Sequence, residues 1–292
     1  MSQSILIVGG NGMLGSSLLA CGQREGLAMK ATMRNPPANS AAVGWLDLRE
    51  PLDGWQPPDG CQAAILCAAV TSLEACQRDP EGTRWINQTQ TLRLAEKLVK
   101  AKIFVVFLST NLVFDGNNPV RRADEPACPL TEYGRQKAEV ETALKTFGDS
   151  AAIVRLTKVL DPRWPLLCGW LEALRARQPV RAYADMVCAP VTLPTVTHGL
   201  LDIAVRKLPG IWQFSAATDV SYAAIAQHLA ARLEVPATLV TEISSRENPS
   251  LKHSPRHTTL DNSRARRELQ LNFPGALEAV DETFFPPPVA AS

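Results

Sequence analysis

Tyr133 and Lys137 stand at positions i and i+4 of a stretch, residues 131–146, whose pattern predicts a helix. At that spacing a phenol and an ammonium share one helical face. A lysine charge beside a phenol favours the phenolate, so the pair predicts a tyrosine with a lowered pKa. Such a tyrosine can give a proton to a carbonyl oxygen, or take it back in the reverse direction. A further hydroxyl on the same oxygen would help hold it. Ser109 and Thr110 offer hydroxyls at the end of an apolar run, residues 103–109. Taken alone, a Tyr and a Lys at this spacing are a common surface pair. The elements around them decide whether they do chemistry.

The first of those elements is a glycine loop. Gly9-Gly10-Asn11-Gly12-Met13-Leu14-Gly15 has the spacing G-x-x-G-x-x-G. It lies between an apolar run, residues 5–9, and a helical pattern, residues 13–24. Gly9 and Gly12 permit a tight turn and let backbone N–H groups approach a pyrophosphate. Gly15 allows the helix to pack closely on the strand, and the helix dipole favours the phosphates. The placement at the first strand–turn–helix favours a dinucleotide site over a plain turn.

The residue after the second strand reads the ribose. An acid there suits the 2′-hydroxyl of NAD, and a base suits the 2′-phosphate of NADP. The chain has Thr32-Met33-Arg34-Asn35, with no acid. The Arg34 fork suits a phosphate, against the alternative of a solvated surface arginine. NADP(H) is therefore the expected cofactor, with NAD(H) as the alternative. Asp47-Leu48, after a further short strand, is read either as the cap of the adenine edge or as a turn aspartate.

The remaining elements fit this reading. Short apolar runs at 29–33, 63–68, 103–109 and 151–156 alternate with helical patterns, including one from about 80 to 101. Continuously apolar strands separated by helices predict a parallel sheet covered on both faces, a doubly wound α/β (Rossmann) fold. After about residue 157 the rhythm breaks at Pro162, Pro165, Pro179, Pro190 and Pro194. Helical segments are expected at 166–177, 195–207, 221–233 and 262–269, with a strand at 210–214 that rejoins the main sheet. The expected division is a cofactor-binding domain over 1–157, rejoined by about 187–215, and a smaller mixed substrate lobe over 158–292. Residues 286–292 read as a frayed end.

Composition excludes several classes. The net charge is +1, with 46% hydrophobic and 20% charged residues. Nothing here marks a nucleic-acid surface. No apolar run is long enough to span a bilayer, and the opening lacks a basic segment and a small-residue cleavage site. A cytoplasmic location is expected. The seven cysteines are irregularly spaced and read as reduced, mostly buried thiols. The four histidines are scattered without a carboxylate at metal spacing, so no metal is expected. Arg256, between His253 and His257, is read either as a contact to a substrate diphosphate or as a solvated loop residue.

Together these motifs resemble the extended short-chain dehydrogenase/reductases, and within them the dTDP-4-dehydrorhamnose reductase-like (RmlD-type) sugar-nucleotide branch. The resemblance covers nearly the whole chain. Gly9 to Gly15 fits the family's glycine motif. Cys67-Ala68-Ala69 fits its stretch after the third long strand, and Asn87 falls where the family has an asparagine. Ser109-Thr110-Asn111-Leu112-Val113-Phe114-Asp115-Gly116 is similar to its S-T-D-Y-V-F-D-G. Glu125-Pro126 through Pro129-Leu130 and Tyr133-Gly134 matches its run into the Y-x-x-x-K pair. Pro255-Arg256 through Leu260-Asp261 is similar to its R-P-x-x-x-x-L-D.

The resemblance implies Tyr133 as acid/base, Lys137 as its activator and Thr110 as the hydroxyl orienting the carbonyl. It implies that the loop glycines, Asn11, Met13 and Leu14 hold the pyrophosphate. Cys67, Ala68, Ala69 and Thr71 would line the ribose and nicotinamide side, with Asn87 and Ser109 also in the cofactor site. Asn111, with Thr110, would face the substrate. Asn111-Leu112 departs from the family's Asp-Tyr, the order at 255–256 is swapped, and the chain has only three tyrosines. These departures leave the catalytic pair in place and the substrate open. The expected reaction is NADPH-dependent reduction of a carbonyl on a nucleotide-linked sugar, with a homodimer as the candidate assembly. The alternatives are an epimerase or dehydratase that retains NAD, and an NADP-binding regulatory subunit.

Overall fold

The computed structural model describes residues 4–37, 43–248, 251 and 254–286. His253 and residues 287–292 of the expected frayed end lie outside the described residues.

The chain opens with β1 (Ser4–Val8), α1 (Met13–Arg24), β2 (Ala28–Met33), β3 (Val43–Trp45) and β4 (Cys61–Leu66). Then come α2 (Leu73–Arg78), α3 (Pro80–Arg84), a π-helical turn (Trp85–Gln90) and α4 (Thr91–Lys100). The expected single helix over 80–101 is thus interrupted. β5 (Phe104–Thr110), a 3₁₀ turn (Asn111–Val113), α5 (Glu132–Leu144) and β6 (Ala151–Leu156) complete the first half. β1, β5 and β6 are buried along their whole length, as strands covered on both faces must be.

The second half contains β7 (Val159–Leu160), α6 (Pro165–Arg175), β8 (Val180–Tyr183), β9 (Val187–Cys188), β10 (Val191–Thr192) and α7 (Leu193–Arg206). These are followed by β11 (Gly210–Phe214), β12 (Val220–Ser221), α8 (Tyr222–Arg232), β13 (Val240–Ile243), α9 (Ser263–Glu268) and α10 (Ala276–Phe284). α10 and the two-residue strands were not legible from periodicity.

The main sheet has seven strands in the order β11-β6-β5-β4-β1-β2-β3, and every pairing in it is parallel. The expected doubly wound fold is present, and 210–214 does join the sheet, beside β6. One apolar layer lies between the sheet, α1 and α7, where Leu18, Val196, Leu200 and Trp212 are buried. The other lies under α4 and α5, around Leu94, Leu98, Val140 and Leu144. A separate core holds α6, α8 and α10 together through Leu167, Leu174, Ile225, Leu229 and Val280. Among the described residues no helix is long and apolar enough to cross a membrane, and all seven cysteines are free. Three of these are buried (Cys21, Cys76 and Cys188) and four are half-buried.

Candidate active site

The glycine loop leaves β1 at the carboxyl edge of the sheet. Gly9 adopts φ +87°, a conformation that L side chains rarely take. The N–H groups of Gly9 and Gly10 both donate to the Thr32 carbonyl at 3.0 Å, tying the loop to β2. A Cβ on Gly15 would press into the Gly9 carbonyl, so α1 approaches the loop at a distance only glycine allows. Gly12 is the N-cap of α1. It gives no side-chain cap, and the first turn carries no acid. Those first-turn N–H groups have no helical partner and are a ready anion site. α2, α3, α5, α7 and α8, by contrast, are capped by Ser72, Asp79, Thr131, Thr192 and Ser221.

Beside the loop opens a cleft of about 290 Å³. Gly9, Asn11 and Gly12 form one wall, Arg34, Asp47 and Leu48 another, and Cys67, Ala68 and Ala69 a third. All nine were expected in the cofactor site. Val8, Thr32, Met33, Leu46, Arg49, Val70 and Ile86 also line it and were not expected. The Thr32 hydroxyl is buried there, with no hydrogen-bond partner among the described residues. This orphaned hydroxyl, the uncapped helix and the glycine cradle fit a dinucleotide.

Asp47 and Arg49 form one unit. Arg49 Nε donates to both Asp47 carboxylate oxygens, at 3.1 and 2.9 Å, and the Arg49 N–H donates to Oδ1 at 3.0 Å. These bonds, chiefly the side-chain ones, hold the Asp47 carboxyl below its ordinary value despite its burial. Asp47 is therefore a turn aspartate that also lines the cleft. Arg34 is exposed on the same wall.

The carboxyl end of β5 meets the start of α5. Thr131 caps α5 by accepting from the Gly134 N–H at 3.0 Å. A Cβ on Gly134 would collide with the Leu112 carbonyl. The glycine after Tyr133 thus lets α5 dock on the turn that follows Thr110. Thr110 Oγ1 caps that turn, accepting from the Leu112 N–H at 3.2 Å. Lys137 Nζ donates to the Leu108 carbonyl at 2.8 Å. It lies 4.5 Å from the Phe107 ring centroid and 5.8 Å from that of Tyr133.

The electrostatics correct one expectation. The Tyr133 phenol is pushed up, not down: burial is the largest cause, followed by the Cys76 sulfur. Burial also lowers the Lys137 ammonium to about 8, against a smaller upward pull from Glu141. Desolvation penalises both charged forms here, and the lysine does not overcome it at the phenol.

Five further residues sit where spacing could not place them. The Ser109 hydroxyl donates to Glu141 Oε1 at 2.6 Å, within a buried cluster rather than toward Thr110. Asn87 is fully buried. Its Oδ1 accepts from the Val70 N–H at 2.8 Å, and its Nδ2 donates to the Val70 carbonyl and to Gln136 Oε1. It shapes the 67–70 wall and ties it to α5 from behind, and the π-helical turn brings it there. Thr71 is exposed beyond the cleft. Arg256 is exposed, with its backbone N–H on the Gly116 carbonyl at 3.1 Å. Asn111 instead faces a narrow crevice with Phe114, Arg121 and His257.

Of the cofactor-site residues outside the cleft wall, Met13 and Leu14 are half-buried in the first turn of α1, and Gly15 is buried there. Three histidines have carboxylate partners that the sequence did not reveal. His198 pairs with Glu25 at 2.9 Å, His228 with Asp281 at 2.8 Å and His257 with Asp219 at 3.3 Å. All three partners are distant in sequence, which is why local spacing missed them.

This fold and site define an NAD(P)-dependent oxidoreductase of the extended short-chain dehydrogenase/reductase type. The chain belongs to the family described as the RmlD substrate binding domain, whose pattern matches residues 3–284. It is 26% identical over 285 residues to a protein named probable low-salt glycan biosynthesis reductase from Haloferax volcanii, covering 92% of this chain and 93% of that one. It is 25% identical to a dTDP-4-dehydrorhamnose reductase of Sinorhizobium fredii, over 72% of this chain and 75% of that one. It also matches the methionine adenosyltransferase 2 subunit beta of Pongo abelii, at 25% identity over 59% of this chain and 49% of that one. Among solved structures, a dTDP-4-dehydrorhamnose reductase from Bacillus anthracis, in complex with NADP, superposes with TM-score 0.83. The identity is 18%, over 98% of this chain and 99% of that one.

Proposed function

We propose that the chain is an NADPH-dependent reductase of a carbonyl on a nucleotide-linked sugar. The observation that carries this reading is the buried Lys137 ammonium, held on the Leu108 carbonyl against the Tyr133 ring. A buried lysine charge costs stability, and here it stands one helical turn from a phenol at the carboxyl edge of the sheet, where ligands bind in such folds. When bound, NADPH supplies the hydride. Tyr133 gives its proton to the carbonyl oxygen, and its raised pKa keeps it protonated for that step. Thr110 holds the same oxygen by its hydroxyl, and Lys137 supports the phenolate that is left. Arg34 takes the 2′-phosphate, and the uncapped first turn of α1 takes the pyrophosphate. The segments over 158–292 supply most of the sugar-nucleotide contacts, with Asn111 at their border, and the enzyme works as a cytoplasmic homodimer.

The test is NADPH oxidation by purified protein given 4-keto sugar nucleotides, dTDP-4-dehydrorhamnose among them. Turnover that consumes NADPH with one of them supports the reading. Stoichiometric NAD retained through purification, with no net NADPH consumption, would favour an epimerase or dehydratase instead. The match to a methionine adenosyltransferase subunit favours a second reading, an NADP-binding regulatory subunit. A stable complex with a partner enzyme, without turnover of its own, would select it.

A further inference from the structure

We propose that Cys21, Glu25 and His198 form a binding site for one divalent transition-metal ion of the zinc type. The site lies at the far end of α1 from the glycine loop. Cys21 and Glu25 stand at i and i+4, on one face at the C-terminal end of α1. His198 projects from α7, which packs alongside. The Cys21 sulfur, a Glu25 carboxylate oxygen and His198 Nδ1 all lie within 4.8 Å of one another. His198 Nδ1 is 2.9 Å from Glu25 Oε1, and Cys21 Sγ is 3.4 Å from the same oxygen. Metal–ligand bonds of about 2.0–2.3 Å in a tetrahedron separate ligand atoms by roughly 3.3–3.7 Å. The 3.4 Å separation already falls in that range and the 2.9 Å one lies just below it.

The donor set selects the metal. Thiolate, imidazole and carboxylate together suit zinc and its neighbours, whereas magnesium and calcium take oxygen shells. One further observation favours a cation. Glu25 is the C-cap of α1, where the unpaired carbonyls already present negative charge and a carboxylate is disfavoured. Cys21 is 2% exposed at the floor of the cluster, and a metal would take it as the thiolate, with release of a proton. The Glu25 and His198 side chains are 39% and 56% exposed, leaving the fourth position open to water. The ion would clamp α1 to α7 at a distance from the cleft of about the length of α1, roughly 18 Å.

Cobalt(II) is the probe, added to chelator-treated full-length protein under anaerobic, reducing conditions. One equivalent is expected to bind, with tetrahedral visible bands and a near-ultraviolet sulfur-to-cobalt charge-transfer band that zinc abolishes. Cys21→Ser should lose the charge-transfer band, and His198→Ala should weaken binding at least about tenfold. Both variants should keep NADPH binding, which shows that they fold. Zinc should raise the thermal midpoint of the wild type and not that of Cys21→Ser. The absence of the charge-transfer band in the wild type, its persistence in Cys21→Ser, or equal affinity in His198→Ala overturns the site.

Discussion

Lys137 Nζ donates a 2.8 Å hydrogen bond to the main-chain oxygen of Leu108. This joins the side chain of α5 to the strand that ends in Thr110, and it fixes the ammonium against the Tyr133 ring. The proposed acid, its supporting cation and the orienting hydroxyl are thereby referred to one rigid strand.

Tyr133→Phe removes the phenol proton that the proposed step delivers. Turnover with a 4-keto sugar nucleotide is expected to fall by about 10²–10⁴, with NADPH affinity little changed. Steady-state kinetics beside a fluorescence titration check both halves. Undiminished turnover would refute the acid role.

The Lys137 ammonium titrates near 8 in the free protein because it is buried. If the charged form is the active one, kcat/KM should decline as pH rises through about 8. The stability effect has a definite sign. The unfolded lysine holds its proton up to about 10.5, so below 8 the folded state carries the full cost of a buried charge. Lys137→Met should therefore be inactive yet more stable at pH 7, by up to about 3 kcal/mol. That gain should shrink between pH 8 and 10.5 in denaturant titrations.

Among the described residues no carboxylate is bonded to Arg34, which faces the cleft, whereas Arg49 is already bonded to Asp47. Arg34→Ala should cost NADP(H) about 1.5–3 kcal/mol, roughly ten- to a hundredfold in affinity, and NAD(H) little. Arg49→Ala should discriminate less between the two. Calorimetric titration with both cofactors measures this, and equal losses for Arg34→Ala would assign the 2′-phosphate elsewhere.

Glu141 and Arg155 form a buried ion pair at 2.6 Å, with side chains 2% and 0% exposed. Arg155 also donates to Gln213 Oε1 and the Ala123 carbonyl, so α5, β6, β11 and the loop before α5 meet at one guanidinium. Glu141→Ala should destabilise by about 3–5 kcal/mol, because it leaves that charge unpaired. Glu141→Leu with Arg155→Met should recover much of the loss. Chemical denaturation of the single and double variants decides it.

Gly15→Ala would drive a methyl into the Gly9 carbonyl. An expected cost of about 1–3 kcal/mol in stability should accompany weaker cofactor binding, since the loop must open to relieve the contact. A thermal midpoint and an NADPH titration at the wild-type level would show that the loop tolerates the methyl.

The residues of the glycine loop, the cleft walls at 34, 47–48 and 67–69, and the Tyr133–Lys137 pair were legible in the sequence. Each depends on local spacing: a turn that needs glycine, a strand end, one helical repeat. The parallel sheet followed from continuously apolar strands for the same reason. Tertiary structure decided what depends on burial and on distant partners. The phenol pKa rises because the packed fold withholds solvent, a quantity no spacing encodes. Ser109 turns to Glu141, and Asn87 supports the 67–70 wall, because β5, α5 and the π-helical turn converge there. His198 meets Cys21 and Glu25 only because α7 packs across α1. Local pattern specifies which groups exist and on which face of an element they stand. The packing of elements determines which of them become neighbours and what each proton costs.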